Sequence, residues 1–446
     1  MTKAAAPAAP TLMGWGRVPA PGRELLSEQL ESATRGARLS RGLGRSYGDS
    51  SLPADAGDKV VGTRLANRIL AFDATTGVIR VEAGLSLAEL NRLYMPRGWF
   101  TPVSPGTKFV TVGGMVSSDI HGGNHHVAGC FGQHVRALKV RLASDDIVDC
   151  SASANDDLFY GVIGGMGLLG HVLEVEFALE PIPSSWLLVD TEPVPDIEEF
   201  LSGLDRVASQ YPQTKGWIDC LNQGRSMGRG AIIAGRWATK DEAGAALPTE
   251  PRGQTLPFDL PNWAVNNFTG RIFNSFIYWN FPRGKTRAIQ APANFFYPLD
   301  WVNEWNRVFG SRGFTQHQCV LPRRAGAEAV REFMKLVTAI GTASPVCVIK
   351  DCGPEGRGVL SFPLAGTSIA IDMPLSSHIQ RDVDRLNELV IAAGGRIYLA
   401  KDRFTRADHF RAMEPRLQKF LALREKWDPQ RRLRSAQSVR IFGDRA

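Results

Sequence analysis

The chain has 446 residues, more than one compact core usually holds, so two domains or one large α/β assembly is expected. Its 43% hydrophobic and 22% charged residues are ordinary globular values and exclude a largely disordered chain. The formal net charge of +7 and a pI near 9.2 favour an anionic partner such as a phosphate or an acidic lipid surface, while the aromatic and basic interleaving of a nucleic-acid module is not evident.

In chain order, the first 17 residues hold one lysine and many small residues but no apolar core of a signal peptide. LANRILAFDATTGVIRVEAG (65–84) reads as a turn-linked strand pair, ILAFD and VIRVEAG, with period-2 alternation. LSLAELNRLYMPRG (85–98) has apolar residues at helical spacing and stops at Gly98. VRALKVRLASDDIVDC (135–150) reads as a second hairpin. DDLFYGVIGG (156–165) is a helix with an acidic start and a glycine stop, and HVLEVEFALEP (171–181) an alternating strand.

Near PIPSS (181–185) the texture changes. Residues 222–267, rich in Gly, Pro and Arg, read as a long loop of the kind used as a lid or binding segment. RIFNSFIYWNFPRGK (271–285) interleaves aromatics with Arg271, Arg283 and Lys285; a membrane-surface segment and a buried strand with basic flanks fit it equally well. The six cysteines are scattered without CxxC spacing, which argues against a disulfide framework and fits a reducing compartment. No apolar run approaches the roughly 20 residues that cross a bilayer. A cytoplasmic or membrane-peripheral protein is expected, with the periplasmic side left open.

Two glycine clusters invite a nucleotide reading. In GGMGLLG (164–170), Gly165, Gly167 and Gly170 have the GxGxxG spacing, but a dinucleotide fold needs a strand before it and a helix after. Here the order is reversed, and that reading fails. In RGLGRSYGDSS (41–51), Gly42, Gly44 and Gly48 allow close backbone approach; successive N–H groups in such a turn make an anion nest, with Arg45 and Ser46 as further donors to a pyrophosphate. A purely structural turn explains the same residues.

DIHGGNHHVAG (119–129) holds three of the eight histidines, His121, His125 and His126. His121 and His125 have the i, i+4 spacing of a helical zinc pair, yet Gly122, Gly123 and Asn124 between them oppose a helix, and no ligand set is completed nearby. No metal is expected. Upstream, SPGTKFVTVGGMVSSDIHGG (104–123) repeats small residues wherever a large flat ligand has to lie against the backbone.

Together these residues resemble a known family. GLGRSYGD, PGT, TVGG, DIHG with NHH, and DDLF with GGMGLLG have the layout of the vanillyl-alcohol-oxidase-type flavoproteins. Within that superfamily the chain is similar to the decaprenylphosphoryl-β-D-ribose 2′-oxidase family. The likeness runs from GWGR (14–17) through FYPLD (296–300), EWNR (304–307), LSFPLAG (360–366) and GGRIYLAKD (394–402), and is weakest after Asn222.

The resemblance implies an α+β fold. A two-subdomain FAD-binding domain occupies residues 8–182, an inserted substrate domain centred on an antiparallel sheet 183–395, and a C-terminal segment 396–446 returns to the FAD domain. It implies non-covalent FAD, contacted by Arg41, Gly42, Leu43, Gly44, Arg45, Ser46, Tyr47 and Gly48, by Gly106, and by Thr111, Val112, Gly113 and Gly114. Ser118, Asp119, Ile120, His121, Val172 and Tyr398 complete the implied FAD set; His121 aligns with the position of a covalent flavin link in some superfamily members. The implied substrate residues are Trp217, Tyr297, Gln316, Gln318, Lys350 and Lys401, with Lys401, Tyr47, His121 and Gln318 in catalytic roles.

The implied activity is oxidation of the 2-hydroxyl of a polyprenyl-phospho-β-D-ribose to the keto sugar, with a short-chain NAD(P)H-dependent reductase finishing the epimerisation as a separate partner. Such a reaction needs the hydroxyl proton taken up and positive charge beside the reduced flavin, and Lys401 can supply the charge. Three positions depart from the family's residues: Ala370 stands in place of a cysteine, Ser368 of an asparagine, and Thr367 of a tryptophan, which is expected to widen the site. Rival readings are an aldonolactone or other sugar-alcohol oxidase, a non-catalytic flavin- or lipid-binding protein, and a zinc hydrolase.

Overall fold

The computed structural model describes residues 10–244, 246–249, 253–341 and 344–445. The start of the N-terminal stretch read for a signal peptide and part of the 222–267 segment lie outside the described residues.

The N-terminal part is built on two main sheets. Strands Glu24–Leu26 and Leu39–Arg41 flank Val60–Gly62, all parallel. A five-stranded antiparallel sheet follows in the order Ile147–Ser151, Val135–Arg141, His171–Ala178, Val78–Glu82, Ile69–Asp73. Both expected hairpins are in it. Gly77, at φ 72°, closes the first, a left-handed conformation that side-chain-bearing residues take only at a cost. Helix Leu87–Tyr94 starts where the Ser86 hydroxyl accepts the Glu89 N–H at 3.1 Å, buries Leu87, Leu90 and Tyr94, and is stopped by Gly98 at φ 81°. Around 164–170 the order is helix Asp156–Val162, turn, strand His171–Ala178, opposite to a dinucleotide fingerprint.

The second body is an eight-stranded antiparallel sheet. Its order is Thr286–Gln290, Leu187–Val194, Gly230–Trp237, Gln213–Ile218, Cys347–Cys352, Gly366–Pro374, Phe314–Pro322, Arg396–Ile397. Side chains alternate across such a sheet, so it has two unlike faces. One is sealed by helices: Phe200 of helix Ile197–Ala208 lies against Gly216, and helices Gly326–Ile340 and Ile379–Ala392 pack on Phe314–Pro322. Within that layer the His317 ring sits 5.8 Å from Phe333 and its Nε2 3.0 Å from the Asn387 amide oxygen.

Two expectations are corrected. The 222–267 segment is not one loop, because Gly230–Trp237 is an inner strand paired on both sides. Its core AIIAG is covered on both faces, so it carries no alternation to betray it. The aromatic run 271–285 is not a buried strand: helix Asn267–Asn280 takes up most of it, with the Asn266 side chain accepting the Phe268 and Thr269 N–H groups at 2.8 and 3.1 Å.

Beyond Arg396–Ile397 the chain runs back over the N-terminal sheets. Helix Leu417–Trp427 packs on Asp156–Val162; Arg434 pairs with Asp58 at 2.6 Å and Arg440 with Asp49 at 2.7 Å. Among the described residues the six cysteines are buried and free, and no helix is long and apolar enough to cross a membrane.

Candidate functional site

The open face of the eight-stranded sheet carries the chemistry. Strand register pairs Trp217 with Val348, Lys350 with Ser368, Gln318 with Ala370, and Gln316 with Asp372. Period-2 alternation then puts Lys215, Trp217, Lys350, Ser368, Ala370, Asp372, Gln316 and Gln318 on one face, turned away from the helix layer. Lys215, Trp217 and Lys350 are half-buried, whereas Gly216, Ile218 and Ile349 between them are buried. Thr367 pairs with Asp351 and Leu321 and belongs to the opposite face, so the expectation that it widens the site is corrected by the same alternation.

Opposite this face lie three N-terminal segments and the turn after Arg396–Ile397. The Tyr47 N–H donates to the Ala400 carbonyl at 3.1 Å, and the Tyr398 hydroxyl donates to the Ser118 carbonyl at 2.9 Å. A Cβ added at Gly42 meets the Thr111 side chain, and one at Gly48 meets the Asp402 carbonyl, so Gly42 makes room for a side chain and Gly48 lets two backbone segments touch. Thr111 caps helix Val112–Ser117, its hydroxyl accepting from Gly114 N at 3.3 Å, while Val112 and Gly113 are tied to the Leu85 and Ala83 carbonyls. Val172 is buried in strand His171–Ala178. Arg41 is held by the Met13 and Ser51 carbonyls at 2.6 and 3.0 Å, which fixes the first turn of the glycine-rich loop. Arg45 stacks its guanidinium 4.0 Å from the Trp15 ring.

Asp119 anchors the histidine loop. Its carboxylate accepts the Gly132 N–H at 2.7 Å and the Ser361 hydroxyl, and burial raises its pKa to about 6. His121 then stands at the junction, its Nε2 2.9 Å from the Gln318 amide nitrogen and its ring 5.1 Å from Tyr398. Burial, with Lys350 adding to it, holds His121 well below the usual imidazole range, so it is neutral. His125 begins the single turn His125–Ala128; its Nδ1 accepts the Gly353 N–H at 3.0 Å and its Nε2 lies 3.4 Å from Cys130 Sγ. His126 is bound to the Tyr211 carbonyl at 3.0 Å. The three imidazoles therefore serve different neighbours.

Lys401 lies 3.8 Å from the centre of the Tyr47 ring. Burial lowers its pKa to about 7 against the pull of Asp372. Asp372, raised to about 7 by burial, accepts from the Gln316 amide at 2.6 Å. The Gln318 amide also reaches the Ser368 hydroxyl at 3.3 Å, where the implied asparagine is absent. The Tyr297 hydroxyl is engaged by Asn91 at 2.8 Å and Ser104 at 2.6 Å, so it joins the two bodies with its polar end bonded.

Sequence reading missed Lys215 and Asp372. Lys215 Nζ donates to the Phe295 carbonyl, and burial brings its pKa to about 7. QTKGWI places Lys215 two residues from Trp217, on the same strand face, but that this face is the site's follows only from the cross-strand register.

The residues fit a large flat cofactor. A Cβ at Gly106 meets nothing within 4 Å, and the buried Arg45 Nε and His121 Nδ1 have no hydrogen-bond partner among the described residues. Buried polar atoms of that kind ordinarily find partners. Between the glycine segments and the polar sheet face, the arrangement is that of a flavin-dependent oxidoreductase.

Comparison with known proteins agrees. The FAD binding domain family matches residues 30–151. The chain is 35% identical over 441 residues to decaprenylphosphoryl-beta-D-ribose oxidase of Mycolicibacterium smegmatis, covering 94% of both chains. It is 24% identical over 396 residues to L-gulonolactone oxidase of Bos taurus, covering 84% of this chain and 83% of that one. With Delta(24)-sterol reductase of Mus musculus it shares 32% identity over 138 residues, 31% of this chain and 27% of the relative. The chain belongs to the decaprenylphosphoryl-β-D-ribose oxidase family, and its cofactor is FAD.

Proposed function

We propose that this chain oxidises the 2-hydroxyl of a polyprenyl-phospho-β-D-ribose to the 2-keto sugar, the first half of epimerisation to the arabinose lipid. The observation that carries the reading is the polar sheet face of Gln316, Gln318 and Lys350, with Lys401 beside it on the following turn, set against His121, in a chain 35% identical to the named oxidase. In this reading residues 8–182 bind FAD as two subdomains, 183–395 bind substrate, and 396–446 return to the FAD domain. Ion pairs of Arg434 and Arg440 with Asp58 and Asp49 support the return.

Residues 41–48, Gly106, 111–114, 118–121, Val172 and Tyr398 hold the cofactor non-covalently. Bound FAD supplies the hydride acceptor. Lys401, with a pKa of about 7, exists near neutrality in both protonation states, so it can share the hydroxyl proton or present a cation to developing negative charge. Tyr47 supports the Lys401 ammonium on its ring face. Neutral His121 keeps Gln318 in place, and Gln318, Gln316 and Lys350 orient sugar or phosphate oxygens. Trp217 gives the sugar a flat apolar wall. Tyr297 shapes the floor through its ring.

A reductase of the short-chain NAD(P)H type would take the keto sugar onward, and the substrate's lipid tail calls for peripheral membrane contact. An anaerobic visible spectrum before and after adding polyprenyl-phospho-ribose tests the proposal. Bleaching of the flavin band is expected. A flavin that stays oxidised with this lipid yet bleaches with soluble sugars moves the assignment to a sugar-alcohol oxidase.

A further inference from the structure

Helix Asn267–Asn280 is amphipathic in the wrong sense for a water-facing element. Its inner face is small and polar: Gly270 and Asn274 are buried, and Asn274 donates to Asp219 at 2.9 Å and to the Ser344 carbonyl at 3.2 Å. Ser275 accepts from Arg229 at 2.8 Å. The outer face is apolar. Phe268, Ile272, Phe276 and Trp279 follow at steps of four, four and three, one stripe along three turns, with exposures of 73, 57, 65 and 75%. Trp263, in the approach to the helix, is 74% exposed.

Soluble surfaces rarely leave so continuous an apolar stripe uncovered. Charge narrows the choice of what covers it. Between Asp259 and Asp300 the sequence has no acidic residue, while it has Arg271, Arg283, Lys285 and Arg287. Lys285 and Arg287 share the one carboxylate of Asp190, at 3.0 and 2.7 Å, so the three groups together keep a positive charge. Arg271 and Arg283 are exposed and form no ion pair among the described residues. Exposed tryptophans and phenylalanines beside unpaired arginines, with no acid among them, are the composition of an element lying in the headgroup region of an anionic bilayer.

The position agrees. Phe281, the residue after the helix, has its ring 5.9 Å from Trp217 on the polar sheet face, so the stripe ends beside the candidate substrate site.

We propose that the outer face of helix Asn267–Asn280, with Trp263, docks this protein on an anionic lipid bilayer. The aromatic stripe enters the acyl boundary and Arg271 and Arg283 meet the headgroups. The site's rim is thereby set at the membrane surface, where a polyprenyl chain stays in the lipid while its phospho-sugar reaches Trp217. This last step rests on the lipid-substrate reading; the docking itself does not.

The test is co-sedimentation of the FAD-loaded full chain with vesicles of phosphatidylcholine alone, or with 30% phosphatidylglycerol. Wild type should pellet with the anionic vesicles and much less with the neutral ones. Phe276→Ser with Trp279→Ser should weaken binding at least tenfold. Arg271→Gln with Arg283→Gln should weaken it severalfold at low salt and hardly at 0.5 M salt. Because all four side chains are exposed, the flavin spectrum should match wild type, which separates lost docking from lost fold.

Absence of vesicle binding, or equal binding by the aromatic double variant, overturns the proposal. If wild type instead self-associates and the double variant is monomeric, the face is a protein interface and the proposal is equally overturned. Flavin bleaching by a short-chain, water-soluble phospho-ribose is read separately. Bleaching without vesicle binding leaves the function standing and removes the docking, and the reverse result does the opposite.

Discussion

The Lys401 ammonium stands 3.8 Å from the centre of the Tyr47 ring, the two residues coming from opposite ends of the chain. The contact is held by the Tyr47 N–H bond to the Ala400 carbonyl, so the glycine-rich loop and the YLAKD turn form one unit. A cation there is enclosed, with Asp372 as its carboxylate partner in the electrostatics.

Replacing Lys401 by Met keeps the stem and removes the charge and the proton. FAD should stay bound, because the Tyr47 N–H bond to the Ala400 carbonyl and the Tyr398 hydroxyl bond to the Ser118 carbonyl do not use the Lys401 side chain, while turnover of polyprenyl-phospho-ribose should fall by about 10²- to 10⁴-fold, the range for loss of a positioned acid or base. Single-turnover flavin reduction is the measurement; an unchanged rate removes Lys401 from the chemistry.

How much of this was legible beforehand varied with the physical signal. The helix capped by Ser86 and the hairpin at Gly77 were readable because caps and turns are local. The strand Gly230–Trp237 was not, since burial on both faces erases alternation. In the site, the glycine and histidine segments announced themselves by composition. Lys215 and Asp372 did not, because their place depends on the register of four strands, which one-dimensional spacing does not encode. The likeness to a family carried Lys350 and Gln318 over, but it also carried Thr367, which register puts on the far face.

His121 bears on how the flavin is held. Its Nε2 is engaged with Gln318, and the imidazole is neutral. Its Nδ1 has no partner among the described residues, so the non-covalent reading needs a direct test; the expected outcome is that the cofactor leaves intact on unfolding. Acid precipitation should return all flavin absorbance to the supernatant, and a yellow pellet carrying a flavin-linked His121 peptide in mass spectrometry would falsify this.

Gly48 is a steric prediction. A Cβ there runs into the Asp402 backbone carbonyl, which is no flexible side-chain end. Gly48→Ala must push the glycine-rich loop away from the YLAKD turn, a misfit of the kind that costs about 1–3 kcal/mol. Thermal unfolding should shift down by several degrees, and the ratio of bound flavin to protein should drop. Wild-type values for both mean that the two segments do not touch in solution.

Lys215 supplies the last expectation, and its sign follows from burial. Its pKa is about 7 in the folded chain against 10.5 ordinarily, so between those values the unfolded state holds a proton that the folded state lacks. Stability from this group is therefore complete above pH 10.5 and is lost as pH falls towards 7, with a slope of at most about 1.4 kcal/mol per pH unit for one proton. Lys215→Met has no proton to bind in either state. Measured between pH 7 and 10, its stability should rise with pH less steeply than that of wild type, while the Phe295 carbonyl loses its donor. Equal slopes mean that Lys215 stays charged when folded; inorganic phosphate, added as a counter-ion, should then raise the wild-type midpoint more than that of Lys215→Met.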